Sequence, residues 1–211
     1  MLEKEKMLKG YIYDPFCEDL PELRNKAHKL CKKYNDTFED ENDKRQQILD
    51  ELVPNRGKNV YLQGPIQFDF GIFTKFGDNS YANFNFTCLD ICPVTIGKNV
   101  FMGPNVSLLT PIHPLRYQDR NTYFNKKTQT VTEKEYAASI TIEDNCWICG
   151  NVTVCGGVTI GEGSVIGAGS VVTRNIPPHS LAFGNPCRVK RKITDDDALI
   201  NHPELFAPED C

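Results

Sequence analysis

Of the four histidines in the 211-residue sequence, His113 has the setting for acid–base chemistry. It lies in the segment TPIHPL, where a regular pattern gives way to a long polar stretch. A neutral imidazole near pH 7 can take the proton of a hydroxyl as that oxygen attacks a carbonyl, and a base so placed contributes about 10²–10⁴ in rate. A histidine beside two prolines also reads as a turn residue, so the position at the break in the pattern carries the chemical reading. Cys88 with Cys92, and Cys146 with Cys149, are spaced closely enough to suggest zinc ligands. Both pairs fall inside the repeat described next, which points instead to thiols used as small buried hydrophobes in a reducing compartment. Arg188, Lys190, Arg191 and Lys192 form a basic cluster that suits either an anionic ligand or a solvated tail. Trp147, the sole tryptophan, falls at an outward position where contact with a ligand or another subunit is expected.

The elements that must hold these residues follow from a period of six. From Ile142 the chain reads IEDNCW, ICGNVT, VCGGVT, IGEGSV, IGAGSV, VTRNIP, with an aliphatic residue in every first place. The same register starts earlier at Ile96, Met102 and Leu108. Neither a helix, with period 3.6, nor an alternating strand, with period 2, produces a six-residue repeat. A short strand and a turn repeated around three faces does, with coils stacked about 4.8 Å apart and one aliphatic side chain per face on the axis. Gly and Asn in the second to fourth places suit tight corners and positive φ angles. Before Ile96 the register slips: Phe76, Ala82 and Cys88 are six apart, but Cys88 to Ile96 is eight, an extra corner or bulge. Leu62 and Phe68 suggest a still earlier coil. Between Leu108 and Ile142 lies a polar excursion, expected to be functional or disordered.

Ahead of the repeat, Leu20, Leu23, Ala27, Leu30 and Tyr34 mark an amphipathic helix, with Asp19 and Glu22 as an expected capping box and Pro21 in its first turn. A second helix is expected from Lys44 to Val53, the two packing over one end of the coil. The expected division is an N-terminal helical segment, 1–57, a parallel β-helix, 58–190, with an inserted loop at about 114–139, and a tail, 191–211. A formal net charge of −4 disfavours non-specific binding to nucleic acid or anionic membranes. The first residues lack the apolar core of a signal peptide, and no apolar run has the length of a membrane helix. A cytoplasmic location is expected.

Six segments (YDPFCEDLPELR, SYANFNFTCLD, TPIHPL, CWICGN, IGAGSVVTRNIPP and GNPCRV) span nearly the whole chain and together resemble the maltose and galactoside O-acetyltransferases of the hexapeptide-repeat family. That resemblance implies a left-handed coil, a homotrimer, acetyl-CoA as co-substrate, a sugar hydroxyl as acceptor and no metal. It makes His113 the general base and places Asp14, Arg24, Tyr81, Asn83, Asp90 and Glu135 at the acceptor, Glu135 either orienting His113 or touching the acceptor. It places Trp147, Gly150, Ala168, Thr173, Arg188 and Arg191 along the acetyl-CoA groove between subunits, with backbone N–H groups near Gly150 facing the oxyanion and the arginines facing phosphates. The sequence departs from the family's pattern in three places. The stretch from Asp14 to Arg24 is one residue longer than in the galactoside type, Cys149 stands where glycine is usual, and the 117–135 loop carries an insertion. Two other classes remain open on the residues: a non-catalytic assembly module, and a zinc hydratase, which would need three imidazoles where the central coils offer only His113.

Overall fold

One inward side chain every six residues builds an axis, and in the computed structural model, which describes residues 1–126 and 128–207, that axis is the core of a three-faced parallel β-helix. Ahead of it run α1 (Glu3–Leu8), α2 (Leu20–Asn35) and α3 (Asn42–Leu52). The first coil lays down β1 (Tyr61–Leu62), β2 (Ile66–Phe68) and β3 (Thr74–Phe76), one strand per face. The second repeats this with β4 (Tyr81–Ala82), β5 (Phe86–Leu89) and β6 (Val94–Ile96). The third starts with β7 (Phe101–Met102) and β8 (Ser107–Leu109), then leaves the coil. The excursion contains β9 (Pro111–Ile112), α4 (Tyr117–Arg120), β10 (Tyr123–Asn125), β11 (Thr130–Thr132) and β12 (Tyr136–Ala137). It returns at β13 (Ile140–Ile142), and β14 (Trp147–Ile148), β15 (Thr153–Cys155), β16 (Thr159–Ile160), β17 (Val165–Ile166), β18 (Val171–Val172) and β19 (Ser180–Phe183) continue the stack. A last strand, β20 (Arg188–Lys192), turns back antiparallel to β19.

Face I is β1-β4-β7-β14-β17-β19, face II is β2-β5-β8-β15-β18, and face III is β3-β6-β13-β16. The hexad first places sit on the axis: Met102, Leu108, Ile142, Ile148, Val154, Ile160, Ile166 and Val172 are all essentially inaccessible. Each such burial stabilises by roughly 1.5–3 kcal/mol, which is why the repeat fixes the register. The register also shows where coils differ in length. Leu62 pairs with Ala82 and Phe76 with Ile96, so the early coils take twenty residues. Ile148 pairs with Ile166 and Val154 with Val172, a step of eighteen, and Ile166 pairs with Ala182, so the last coil takes sixteen. The two extra residues fall between Phe68 and Phe76 and between Cys88 and Ile96, always on the edge joining faces II and III. The excursion from Leu109 to Ser139 leaves from that same edge. The long early coils are filled by rings, Phe68 and Phe76 both packing edge-on to Phe86.

The other corners are tight. Asn99, Asn105, Asn145 and Asn151, in fourth hexad places, all adopt φ between 52° and 60°, and Gly163 and Gly169 take over higher up. Asparagine tolerates this conformation, and stacked in register its amides bond along the axis: Asn79 to Asn99 at 3.3 Å and Asn99 to Asn145 at 3.0 Å. Cys149 lies outside the left-handed region, so its corner accepts a Cβ, and its N–H donates to Ile166 C=O at 2.9 Å.

The helices close the first coil. Leu30, Tyr34, Leu49 and Leu52 join the coil's core, and the buried Arg45 donates to the carbonyls of Leu62 and Gln63, both at 2.7 Å. The expected capping box does not form: the side chain of Asp19 caps nothing and instead meets Lys4 Nζ at 3.1 Å. Helix α1 has no counterpart among the sequence expectations, because its charges conceal a single anchor, the fully buried Met7. The excursion is likewise ordered around the β10–β11 hairpin, and β20 runs across the expected boundary at residue 190. The expected tail's last four residues lie outside the described ones. No helix among the described residues is long and apolar enough to cross a membrane.

Candidate active site

The edge between faces II and III holds the titratable groups. Its lowest corner, Asp69 to Phe73, is held from the coil above by Asp90. That carboxylate is fully buried and accepts from the N–H groups of Phe70 at 2.8 Å and Gly71 at 3.0 Å, and from Thr74 Oγ1 at 3.0 Å. Burial pushes its carboxyl up, while the Phe70 and Gly71 N–H groups draw it down. This corrects the expectation that Asp90 meets an acceptor: both its oxygens are spent on holding the expanded corner, and none of it reaches solvent.

One coil higher the chain leaves through β9 and comes back through β12, which pair antiparallel with Ile112 opposite Tyr136. His113 and Glu135, flanking that pair, are thereby set side by side. Nε2 of His113 stands 3.7 Å from Glu135 Oε1, the imidazole half-exposed and the carboxylate only 8% accessible. The other oxygen of Glu135 accepts the hydroxyl of Tyr13, and the Tyr13 N–H donates to Glu135 C=O at 3.0 Å. Burial pushes the Glu135 carboxyl up; the Tyr13 hydroxyl, His113 and Arg24 draw it down, and Asp69 pushes it further up. Arg24, half-buried on α2, lies over the Phe70 ring at 5.5 Å. Asp69 is raised by burial and lowered by Arg24 and by His28, whose Nε2 is 3.6 Å away. Asp14 is nearly buried: its Oδ1 accepts from Thr132 Oγ1 at 2.5 Å and from Phe16 N–H at 3.0 Å, and its Oδ2 has no partner among the described residues. Through Oδ1 it fastens the returning loop, and Oδ2 is the oxygen it keeps uncommitted beside the His113 edge.

The remaining expected residues stand elsewhere. Tyr81 lies on face I, stacked on Tyr61 at 6.0 Å, and Asn83 follows it onto the edge joining faces I and II. Gly150 and Ala168 occupy that same edge, where Gly150 C=O accepts from Gly169 N–H at 3.0 Å. The N–H groups of Gly150 and Ala168 find no acceptor among the described residues, whereas Asp144 caps Lys98 N–H at the next edge round. Trp147 points outward from face I, more than half exposed, with Phe101 beside it in register and equally exposed. Thr173 is exposed on the far side of face II, toward the His113 edge. Arg188 and Arg191 are exposed on β20; the Arg191 fork grips Asp197 through bonds of 2.7 and 2.6 Å, holding the Asp197 carboxyl down to about 2. A single chain therefore brings His113, Glu135, Arg24 and Asp14 together and keeps Tyr81, Asn83, Trp147, Gly150 and Ala168 on another side. Sequence reading missed Tyr13, Asp69 and His28. The eight-residue step from Phe68 to Phe76 was the available signal for Asp69, since it marks the same expanded edge.

A three-faced coil of hexads, opened once by a histidine-bearing excursion, is the architecture of the hexapeptide-repeat transferases. The model of the maltose acetyltransferase hexapeptide capping motif matches residues 6–57, and that of the bacterial transferase hexapeptide (six repeats) matches residues 139–174. The galactoside O-acetyltransferase of Escherichia coli (strain K12) is 39% identical over 193 residues, covering 92% of this chain and 90% of that protein. Among solved structures, a maltose O-acetyltransferase from Clostridium difficile 630 is 42% identical with a TM-score of 0.83, covering 92% and 98% of the two chains. A galactoside acetyltransferase in complex with coenzyme A is 38% identical, also with a TM-score of 0.83, covering 93% and 94%. The chain belongs to the maltose and galactoside acetyltransferase family of hexapeptide-repeat proteins.

Proposed function

We propose that the protein transfers the acetyl group of acetyl-CoA directly onto a hydroxyl of a sugar, of the maltose, glucose or galactoside type, in a ternary complex with His113 as general base. The observation that carries this reading is the exposed His113 set beside the buried Glu135 at the one edge where the coil opens. Their 3.7 Å separation is too long for a hydrogen bond, so Nε2 is left available to an acceptor hydroxyl. On this reading His113 takes that proton as the oxygen attacks the thioester carbonyl, and the carboxylate of Glu135 stabilises the imidazolium. The Gly150 N–H, which has no acceptor among the described residues, meets the oxyanion, and His113 returns its proton to the departing CoA thiolate. Arg24 and Asp69 would flank the acceptor, with Tyr81 and Asn83 supplied by a neighbouring chain.

That last point makes the assembly part of the reading. The groups for the two substrates lie on different edges of one prism, and the exposed Phe101 and Trp147 give face I an apolar strip that a neighbour could cover. A homotrimer with the His113 edge of one chain against face I of the next unites the halves, Thr173 on one wall and Gly150 and Ala168 on the other. Arg188 and Arg191 would then hold the CoA phosphates. A cytoplasmic location is in keeping with acetyl-CoA as co-substrate and with the thiols of the described residues left unpaired. The test is a panel of glucose, maltose and galactosides with labelled acetyl-CoA, alongside light scattering. Labelled sugar ester and a mass near three times 23.9 kDa are expected. No transfer to any sugar would contradict the acceptor class, and a monomer would remove the shared groove.

A further inference from the structure

Resting on the reading of His113 as the base, we propose that Tyr13 is a positioning residue for the reaction: its hydroxyl captures one oxygen of Glu135 and so keeps the other turned to His113. Tyr13 lies on the arm between α1 and α2, far from Glu135 in sequence and only 2% exposed. It holds Glu135 twice, through the phenol on Oε2 and through its N–H on the Glu135 carbonyl at 3.0 Å. Its neighbour Asp14 adds a third fastening, on Thr132, at the start of the same returning segment. Two adjacent residues of the arm thus clamp both ends of the stretch 132–135, and the last side chain of that stretch is the one beside the imidazole.

The chemistry of the pair explains why a phenol serves here. An ionised carboxylate only accepts, and at Glu135, 8% accessible, it has two oxygens to satisfy with little solvent to help. Filling Oε2 with a permanent donor leaves Oε1 as the sole open acceptor, and that oxygen faces His113 Nε2. The Tyr13 proton is held well above the ordinary phenol range, by burial first and then by the charge of Glu135, so the hydroxyl remains a donor throughout the working pH range. The groups facing Glu135 are Tyr13, His113, Arg24 and Asp69, with His28 behind Asp69. Of those that favour its charged form, the Tyr13 hydroxyl is the strongest. Phenylalanine would fill the same buried space, so removing the hydroxyl isolates its effect on Glu135 from its packing.

The experiment compares wild type, Tyr13→Phe, Glu135→Gln and the double variant by carboxyl-carbon NMR titration and by steady-state kinetics. In Tyr13→Phe the Glu135 midpoint should rise by about one pH unit. The kcat should fall about tenfold, KM for acetyl-CoA should stay within about twofold, and the acidic limb of the rate profile should move to higher pH. In the Glu135→Gln background, Tyr13→Phe should change neither kcat nor the profile, because its target is gone. An unmoved Glu135 midpoint, or the same loss of rate in both backgrounds, would show that Tyr13 only packs. Should Tyr13→Phe not fold, difluorotyrosine at position 13 keeps the ring and strengthens the donor, and must lower the Glu135 midpoint; a midpoint that stays put overturns the proposal. The titration needs no substrate. If the acetyl-transfer reading failed, wild type would show no turnover while the midpoints still shifted.

Discussion

The edge joining faces I and II and the edge joining faces II and III are bounded by the same central face, yet their corners are built differently. The first repeats one short corner at level after level: Asn105 and Asn151 in the left-handed conformation, then Gly169, their amides and carbonyls bonded along the axis. The second never settles into one form. It carries two extra residues in each of the first two coils, expels a long excursion from the third, and closes tightly only in the upper coils, at Cys155 to Gly157 and again between Val172 and Ile176. Repetition leaves no room for a side chain to do anything but continue the stack. Each break in register frees side chains, and the freed ones here are Asp69, Asp90, His113 and Glu135. Asp90 spends itself holding the break open, and the other three are left facing it. The regular edge presents backbone instead, the N–H groups of Gly150 and Ala168 having no acceptor among the described residues.

If the two edges meet only between chains, they can be supplied by different chains. His113→Ala and Asn83→Ala proteins, each nearly inactive alone, should regain activity when unfolded together and reassembled, with about a quarter of the sites carrying both intact halves. Recovery no greater than the sum of the parents would mean that one chain holds the whole site. The framework should respond differently from the open edge. Ile148→Ala, on the axis, should cost about 2–5 kcal/mol in urea unfolding, with kcat of the remaining folded protein preserved. A loss below about 0.5 kcal/mol would contradict the role of the hexad core. The smallest effect belongs to Glu135→Gln. Burial raises the Glu135 carboxyl in the folded protein, so folding takes up a proton there and stability falls as pH rises through that carboxyl's folded range. The glutamine variant lacks this loss. Its unfolding midpoint should exceed that of wild type near pH 7 and match it in acid below about pH 4.5, where the wild-type carboxyl is also neutral. A gap that instead widened in acid would reverse the sign and contradict a buried, raised carboxyl.

The coil was legible because its cause is written residue by residue: Ile142 through Val172 each face the axis for the reason that they recur every sixth place. His113 was legible for the complementary reason, that it ends such a run. Its hand, by contrast, entered only through family resemblance, since periodicity is the same for either hand. Asp90 was misread because a carboxylate at a corner looks alike whether it serves a ligand or four donors of its own chain. Tyr13 was missed because its partner is distant in sequence, and no spacing rule links residue 13 to residue 135. Helix α1 escaped because one buried methionine among charges leaves no periodicity to find.

The central claim is that the break in register at His113 supplies the base for acetyl transfer. The most direct measurement is kcat for acetyl-CoA and a sugar acceptor in His113→Ala, with the melting temperature taken on the same sample. The account predicts a fall of about 10²–10⁴ in kcat with the coil melting as in wild type; an undiminished kcat in a folded protein would contradict it.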